Sequence, residues 1–423
     1  MKNIRINRGF KIYFSFIIFY AIFYLYFKHN VSNDTSISEW LINYKGGFTR
    51  RGLGGELNII TANIFNLPLR LSIFFYQALF HSIYLVLLFA YIRNLKFNIF
   101  QIFAFFSPLF LIYPIAEIEA LGRKEILLLI FFTASIILSG KNFSPKLINF
   151  SIFFIFPFLC LIWEQVVMFA PFFVILIVIK NNLETFKESF LYSFIIFLPS
   201  IITTLFIFMN PLDIAGHKVM CEFLNVEFNE RCYMSADLLV KNTIYFDTLH
   251  IHENAKFFPH YLRYIFVFII GFSFLHYCLV QNLFFSKKNY ISKNFKPIYL
   301  FLLLYIPVIP LFVYGYDWGR WINILYSLSI LLYLFFIKNN LITNEIKVSN
   351  FLITKIINTK FLLIIFFYLF AFFWNPKTVI TGDIATNSLY KIIYNSTKKI
   401  FKFDGLKFFE DSWLIQFHKK YIE

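Results

Sequence analysis

LSIFFYQALFHSIYLVLLFAYI, residues 71–92, runs between Arg70 and Arg93 without a charged side chain. Hydrocarbon offers the backbone no hydrogen-bond partners, so a segment crossing it must be helical, and about 20 apolar residues at about 1.5 Å rise span its thickness. The pattern recurs near 11–27, 97–115, 125–139, 147–163, 165–180, 189–209, 263–283, 297–315, 321–337 and 361–375. The expected fold is all-α, a polytopic transmembrane helix bundle of about eleven spans over residues 1–375, followed by a tail at 376–423. The spans 147–163 and 165–180 meet through Trp163-Glu164-Gln165 and read as a tight hairpin, because the continuous apolar stretch is too long for one ordinary crossing.

Composition excludes a soluble protein. Hydrophobic residues make up 59% of the 423 positions, charged residues 15%, and the mean hydropathy is +0.68. The 63 phenylalanines accompany abundant Ile, Asn and Lys, a bias that says little about function. The net charge of +16 sits mostly in short loops between apolar runs, so it reads as a topology signal and no nucleic-acid partner is expected. Lys2, Arg5, Arg8 and Lys11 precede the first run with no small-residue cleavage site after it, which suggests a membrane helix with its N-terminus inside. Inner loops then carry Lys96, Lys141, Lys146, Lys180, Lys187, Lys287, Lys288, Lys293, Lys296, Lys338, Lys347, Lys355 and Lys360, as the positive-inside rule requires. By the same parity the tail lies outside despite eight lysines, and its side stays open. Two outer loops are large, about 28–70 with a surface helix near 56–66, and about 210–262 with Cys221 and Cys232, which are either bridged or free. Cys160 and Cys278 fall in spans as packing residues.

Arginine departs from the lysine pattern. Arg5, Arg8 and Arg93 are expected inside, but Arg50, Arg51, Arg70, Arg123, Arg231, Arg263 and Arg320 fall outside or at outer helix ends. Lysine would supply the same charge, so a planar fork matched to phosphate or carboxylate is the distinguishing property; snorkelling to headgroups is the plainer use. The densest motif is NYKGGFTRRGLGGE, 43–56, with five of the chain's fourteen glycines. Its glycines would let Arg50, Arg51 and backbone amides approach one anion, with Glu56 opening the next helix. EIEALGRKE, 117–125, concentrates Glu117, Glu119, Arg123, Lys124 and Glu125 at a span end, which implies a hydrated cavity or mutual neutralisation. Glu164 could accept a proton from a hydroxyl or pair with an arginine. In YGYDWGRW, 314–321, Asp317 and Arg320 lie three apart, and Trp318 and Trp321 offer faces for sugar stacking or sit at the membrane interface. His217, His250, His252 and His260 accompany Arg263 in the second large loop, without the spacing of a zinc site, so no metal is expected.

Glycine- and arginine-rich text in the first outer loop, with GRKE and DWGRW at later outer turns, resembles Wzy-type O-antigen or capsule polysaccharide polymerases, within the wider group of C-class membrane glycosyltransferases. That resemblance covers most of the chain in topology and those three strings in local text. It implies a bacterial inner-membrane enzyme that joins undecaprenyl pyrophosphate-linked oligosaccharides at the outer face, without cofactor or metal. Implied partners are membrane lipid, the lipid-linked oligosaccharide and other membrane proteins of polysaccharide assembly. Arg50, Arg51, Arg123, Lys124, Arg263 and Arg320 would hold the pyrophosphate, Glu164 would activate the acceptor hydroxyl with Glu56 and Asp317 as rivals, and Trp318 and Trp321 would stack on sugar. A C-class transferase using a polyprenyl-phosphate monosaccharide, with Asp34, Glu39 or Glu56 as its first-loop acid, is the alternative of the same chemistry. A flippase is the alternative of another class, expected to carry charges or broken helices near the midplane.

Overall fold

Charge-free runs long enough to cross a bilayer form helices along most of the chain, and packing decides how many do so unbroken. The computed structural model describes residues 4–5, 8–31, 34–140, 143–240, 258–285, 288–342, 359–379 and 387–401. Among them the fold is all-helical apart from one short antiparallel pairing, Ile4 with Phe97 and Arg5 with Lys96. Six of the described helices are long and apolar enough to cross a membrane: Gly9–Lys28, Leu69–Ile92, Pro145–Ile162, Phe186–Met209, Tyr261–Val280 and Trp318–Lys338. Trp318–Lys338 is the axis of the bundle, since 94% of its apolar window is buried, against 33–39% for the other five, whose outer faces are left for lipid.

Among the described residues the expected eleven spans are borne out only in part. Ile126–Leu138, Pro297–Val313 and Lys360–Phe372 are apolar but shorter. The expected spans 97–115 and 165–180 are interrupted. Residues 97–115 contain only the helices Ile99–Phe105, opened by a reciprocal Asn98–Gln101 cap, and Tyr113–Ala116, with turns between them around Pro108. Proline has no N–H to give, and the carbonyls freed by this break would be costly in lipid. The axial helix satisfies them instead: Asn323 donates to Leu109 O at 2.7 Å and Phe110 O at 3.2 Å, and the Tyr326 hydroxyl donates to Ala104 O at 2.5 Å. At the other interruption, Trp163 adopts an extended backbone that ends Pro145–Ile162, and a 3-10 turn, Glu164–Phe169, leads into the helix Ala170–Lys180.

These segments leave the bundle with two chemically different ends. Lys180 donates to Gly140 O, Lys293 pairs with Glu184, and Lys338 donates to Tyr91 O, all at the end where the turns are lysine-rich. At the opposite end lie the loop after Lys28, the turn 117–125, Trp163-Glu164, Asp317 and the helix Ile214–Phe228, and here arginines join lysines such as Lys28 and Lys45 in the charged contacts. Cys221 and Cys232 are bonded at this end, while Cys160 and Cys278 are buried thiols. The expected surface helix appears as Gly52–Phe65. Lys391, in the helix Ser388–Phe401, lies 3.4 Å from Glu117, so the described part of the tail also packs at the arginine end. The tail beyond residue 401, the lysines 141, 287, 347 and 355, and His250 and His252 lie outside the described residues.

Replacing Asn323 by the similarly sized Leu strands the carbonyl of Leu109, while Phe110 O keeps its bond from Tyr113 N. An unsatisfied buried carbonyl costs roughly 1–3 kcal/mol, so N323L should lower the Tm of the detergent-purified protein by several degrees. An unchanged Tm would mean that the interrupted segment does not depend on the axial helix.

Candidate functional site: an arginine-lined cavity

Three loops and one helix start converge on this site, and each is shaped by local chemistry. Asp34 caps the helix Thr35–Leu41 by accepting from Ser36 N and Ile37 N, which sets Glu39 and Trp40 facing the bundle. Trp40 Nε1 and Gln77 Nε2 both donate to Gly122 O, at 2.8 and 2.9 Å. Gly122 has φ +80, and a Cβ there would meet the Gln77 amide at 2.9 Å, so only glycine fits this turn comfortably. The turn it makes presents Arg123, Lys124 and Glu125, all buried.

Arg51 precedes the helix Gly52–Phe65 with φ 65, an unusual left-handed backbone for a branched-chain-free but bulky residue. Lys124 Nζ donates to the Arg51 carbonyl at 2.7 Å, and Glu164 takes the guanidinium through Nε at 2.9 Å and Nη2 at 2.7 Å. The neighbouring glycines serve close packing: a Cβ on Gly55 would lie 1.9 Å from Ile42 O, and one on Gly52 would enter the Tyr44 ring. Asp317 precedes the axial helix and accepts from Arg320 Nη1 at 2.7 Å.

A cavity of about 430 Å³ opens among these groups, lined by Thr35, Glu39, Arg51, Arg123, Gln165, Met234, Ser235, Asp237, Asp317, Arg320 and Trp321. That volume lies in the range of small-molecule sites, roughly 300–1,000 Å³. Glu39 is the hub behind it. Its carboxylate accepts from Arg123 Nη1 at 2.6 Å and lies 3.6 Å from Arg320, which also pairs with Glu125. Burial alone would raise the Glu39 carboxyl, but Arg123, Arg320, Arg51 and Lys124 hold it down to about 2. Burial likewise opposes ionisation of Glu164, and Arg51 outweighs it, leaving that carboxyl below its usual range. For Lys124 burial wins, pushing the ammonium down to about 7 despite Glu39.

Hydrogen-bonding capacity remains on the cavity side. Arg51 engages Glu164 through Nε and Nη2, and Arg123 uses Nε for Glu119 O and Nη1 for Glu39 and Thr35 O. Among the described residues, Nη1 of Arg51 and Nη2 of Arg123 have no such bond. Buried Arg320 Nε and Trp321 Nε1 also lack partners. The remaining N–H groups of Arg51 and Arg123, both residues that line the cavity, suit an oxyanion or a ring of hydroxyl groups.

Arg51, Arg123, Asp317, Arg320 and Trp321 therefore meet at one cavity, with Glu164 and Lys124 directly behind Arg51. Arg50 is half-buried beside them, its guanidinium pKa lowered by burial and by Arg51. Three other candidates are elsewhere. Glu56 accepts from Tyr44 N and pairs with Lys45 at 3.4 Å. Arg263 is exposed in the first turns of Phe258–Val280 and does not line the cavity. Trp318 packs on Tyr261, Tyr264 and Phe312 instead. The sequence marks Glu39 only as one of several acids of the first outer loop, and Asp237 by nothing local.

Comparison with protein-family models, curated proteins and solved structures returns no match. What the fold and composition define is a class: the chain is a helical membrane protein with a charged cavity at one end of its bundle.

Glu39→Gln leaves Arg123 and Arg320 short of a counter-charge, and breaking a buried pair in this way costs roughly 3–5 kcal/mol. Because the folded-state value is depressed below 4.5, this stabilisation is full above that pH and is lost as the pH falls towards 2. The Tm gap between wild type and E39Q should therefore be widest near neutrality and shrink on acidification to about pH 3. A gap independent of pH would show that the carboxylate's charge contributes nothing.

Proposed function

We propose that the chain is a membrane glycosyltransferase of bacterial surface-polysaccharide assembly, joining undecaprenyl pyrophosphate-linked oligosaccharides at the outer face of the inner membrane. The observation that carries this reading is the convergence of Arg51, Arg123 and Arg320, from three distant parts of the chain, on one cavity. A departing pyrophosphate develops negative charge, and fixed guanidinium donors stabilise such charge without reorganising at the moment of reaction. The lysine-rich end faces the cytoplasm under the positive-inside rule, which assigns the arginine cavity to the outside.

A second feature favours a lipid-linked substrate. Val167, two residues beyond cavity-lining Gln165, begins an apolar groove of about 540 Å³ that continues past Val174, Phe197, Phe194 and Phe190 to Tyr290. This groove follows the helices Ala170–Lys180 and Phe186–Met209 for most of their length, as a hydrocarbon chain anchored at the cavity would. Transport is less well supported, because the ionisable cluster lies at helix ends rather than midway along them.

Deleting the gene and resolving the surface glycan on a gel separates the readings. Capping by a single repeat is the expected result; loss of one branch sugar would indicate the monosaccharide transferase; an unchanged glycan would sink both. Complementation with Arg51→Lys keeps the charge but loses the fork, and removal of one transition-state donor costs roughly 10²–10³-fold. R51K should thus leave mostly short chains while its Tm shows that it still folds. Full-length glycan from R51K would remove Arg51 from the pyrophosphate contact.

A further inference from the structure

The carboxylates at the cavity are not equivalent. Glu39 is held by Arg123 and Arg320, Asp317 by Arg320, and Glu164 by Arg51. Each therefore serves as a counter-ion, and a carboxylate engaged by guanidinium is a weak proton acceptor. Asp237 differs. It lines the same cavity, its side chain is 44% exposed, and among the described residues it has no arginine or lysine partner. Among the described residues its one neighbour at ion-pair distance is the His217 imidazole, with Nε2 at 3.9 Å, beyond hydrogen-bond reach.

The segment carrying Asp237 is held firmly although it is irregular. Glu230 at its start pairs with Arg70, Cys232 is bonded to Cys221, and Ser235 N donates to Ser38 Oγ at 3.3 Å. His217 Nε2 lies 3.1 Å from Ala236 O, an atom that can only accept, so this nitrogen carries a proton and anchors the residue before Asp237. Met234 takes φ 45, a left-handed conformation that costs energy and persists only where its surroundings impose it. The result is a braced segment that brings to the same cavity a carboxylate with no arginine or lysine partner among the described residues.

Building on the glycosyltransferase reading, we propose that Asp237 is the catalytic base that accepts the proton of the acceptor sugar's hydroxyl. The hydroxyl oxygen forms its bond to the anomeric carbon of the donor as its proton passes to Asp237 Oδ. The bond from that carbon to the pyrophosphate oxygen breaks, and its electron pair stays on the leaving oxygen, where Arg51, Arg123 and Arg320 meet the charge. Asp237 then returns the proton to solvent. Glu164 and Asp317 keep the arginines in place and do not move protons.

The test uses membranes of the deletion strain supplied with each full-length variant and carrying the cell's own lipid-linked glycan. Positioned general bases contribute about 10²–10⁴-fold. Asp237→Asn should cut chain extension by at least about 10²-fold, while inorganic pyrophosphate raises the Tm of purified wild type and D237N equally. The low-pH limb of the wild-type rate profile should be absent from D237N, and added formate should restore part of the rate of Asp237→Ala. Extension by D237N within about threefold of wild type, well under what a base contributes, overturns the proposal. So does a slow D237N that keeps the wild-type pH profile, with no rescue of D237A by formate, since that pattern marks a merely structural residue. If pyrophosphate fails to raise the Tm of wild type and deletion leaves the glycan unchanged, the glycosyltransferase reading falls, and the role of Asp237 with it.

Discussion

Three guanidinium groups brought to one cavity at the end of an apolar bundle repel, and each loses much of its hydration. Isolated buried charges cost several kcal/mol apiece, so such a cluster persists only when carboxylates of matching geometry are built in. Glu39 meets that requirement for Arg123 and Arg320 together, Glu125 and Asp317 complete Arg320, and Glu164 satisfies Arg51. Much of the end architecture follows from delivering these partners. The short helix Thr35–Leu41 is needed to place Glu39, the Gly122 turn to place Arg123 and Glu125, and the break at Trp163 to place Glu164. Two sets of ion pairs, Glu39 with Arg123 and Arg320 and their partners, and Arg51 with Glu164, close that end of the bundle, and the hydrogen bond from Lys124 to the Arg51 carbonyl joins them.

The membrane class was legible because hydrocarbon imposes one local rule, an uncharged run of sufficient length, and residues 71–92 obey it without reference to any other part of the chain. Span number was less legible, since the same rule relaxes wherever protein replaces lipid. The carbonyls around Pro108 are served by Asn323 and Tyr326, more than two hundred residues away, and no local pattern announces that. Arginine usage pointed to Arg51, Arg123 and Arg320 because charge type is a local property that stands out against a lysine-rich background. The carboxylates of the cavity were only partly readable. Glu164 could be seen as a lone acid between two apolar runs, whereas Asp237 sits in an ordinary polar loop and acquires its position through the contacts of Glu230, Cys232, Ser235 and Ala236.

The glycine-rich motif shows how one composition supports two physical explanations. Glycine admits both a positive φ and a close approach, and the sequence favours the first use, a loop folded about an anion. In the structure both uses occur: Gly47 takes φ 112 and Arg51 itself φ 65, while Gly52, Gly54 and Gly55 admit Tyr44, Lys124 with Trp40, and the backbone of Ile42. The last three glycines thus act on the site through packing. They let the helix Gly52–Phe65 approach closely enough for Lys124 to hold the Arg51 carbonyl.

Full pairing of the arginines also bears on how such a cavity would work on charged substrates. Were the guanidinium groups uncompensated, they would bind ground-state pyrophosphate and leaving pyrophosphate with similar strength, and uniform binding of that kind does not accelerate a reaction. Compensation changes the balance. Glu39, Glu125 and Glu164 cancel most of the field behind the cavity, so the initial attraction is modest, while the remaining N–H groups of Arg51 and Arg123 keep fixed directions. Asp317 is the most exposed partner in the network, at 31%, and shares Arg320 Nη1 with Glu39. Of the contacts to Arg320 it is the one an incoming anion can replace with least burial of charge. On the proposed reading, extra negative charge on a leaving oxygen would strengthen these directed bonds more than the substrate does at rest, and a site of neutralised arginines would then favour the departing group over the bound one.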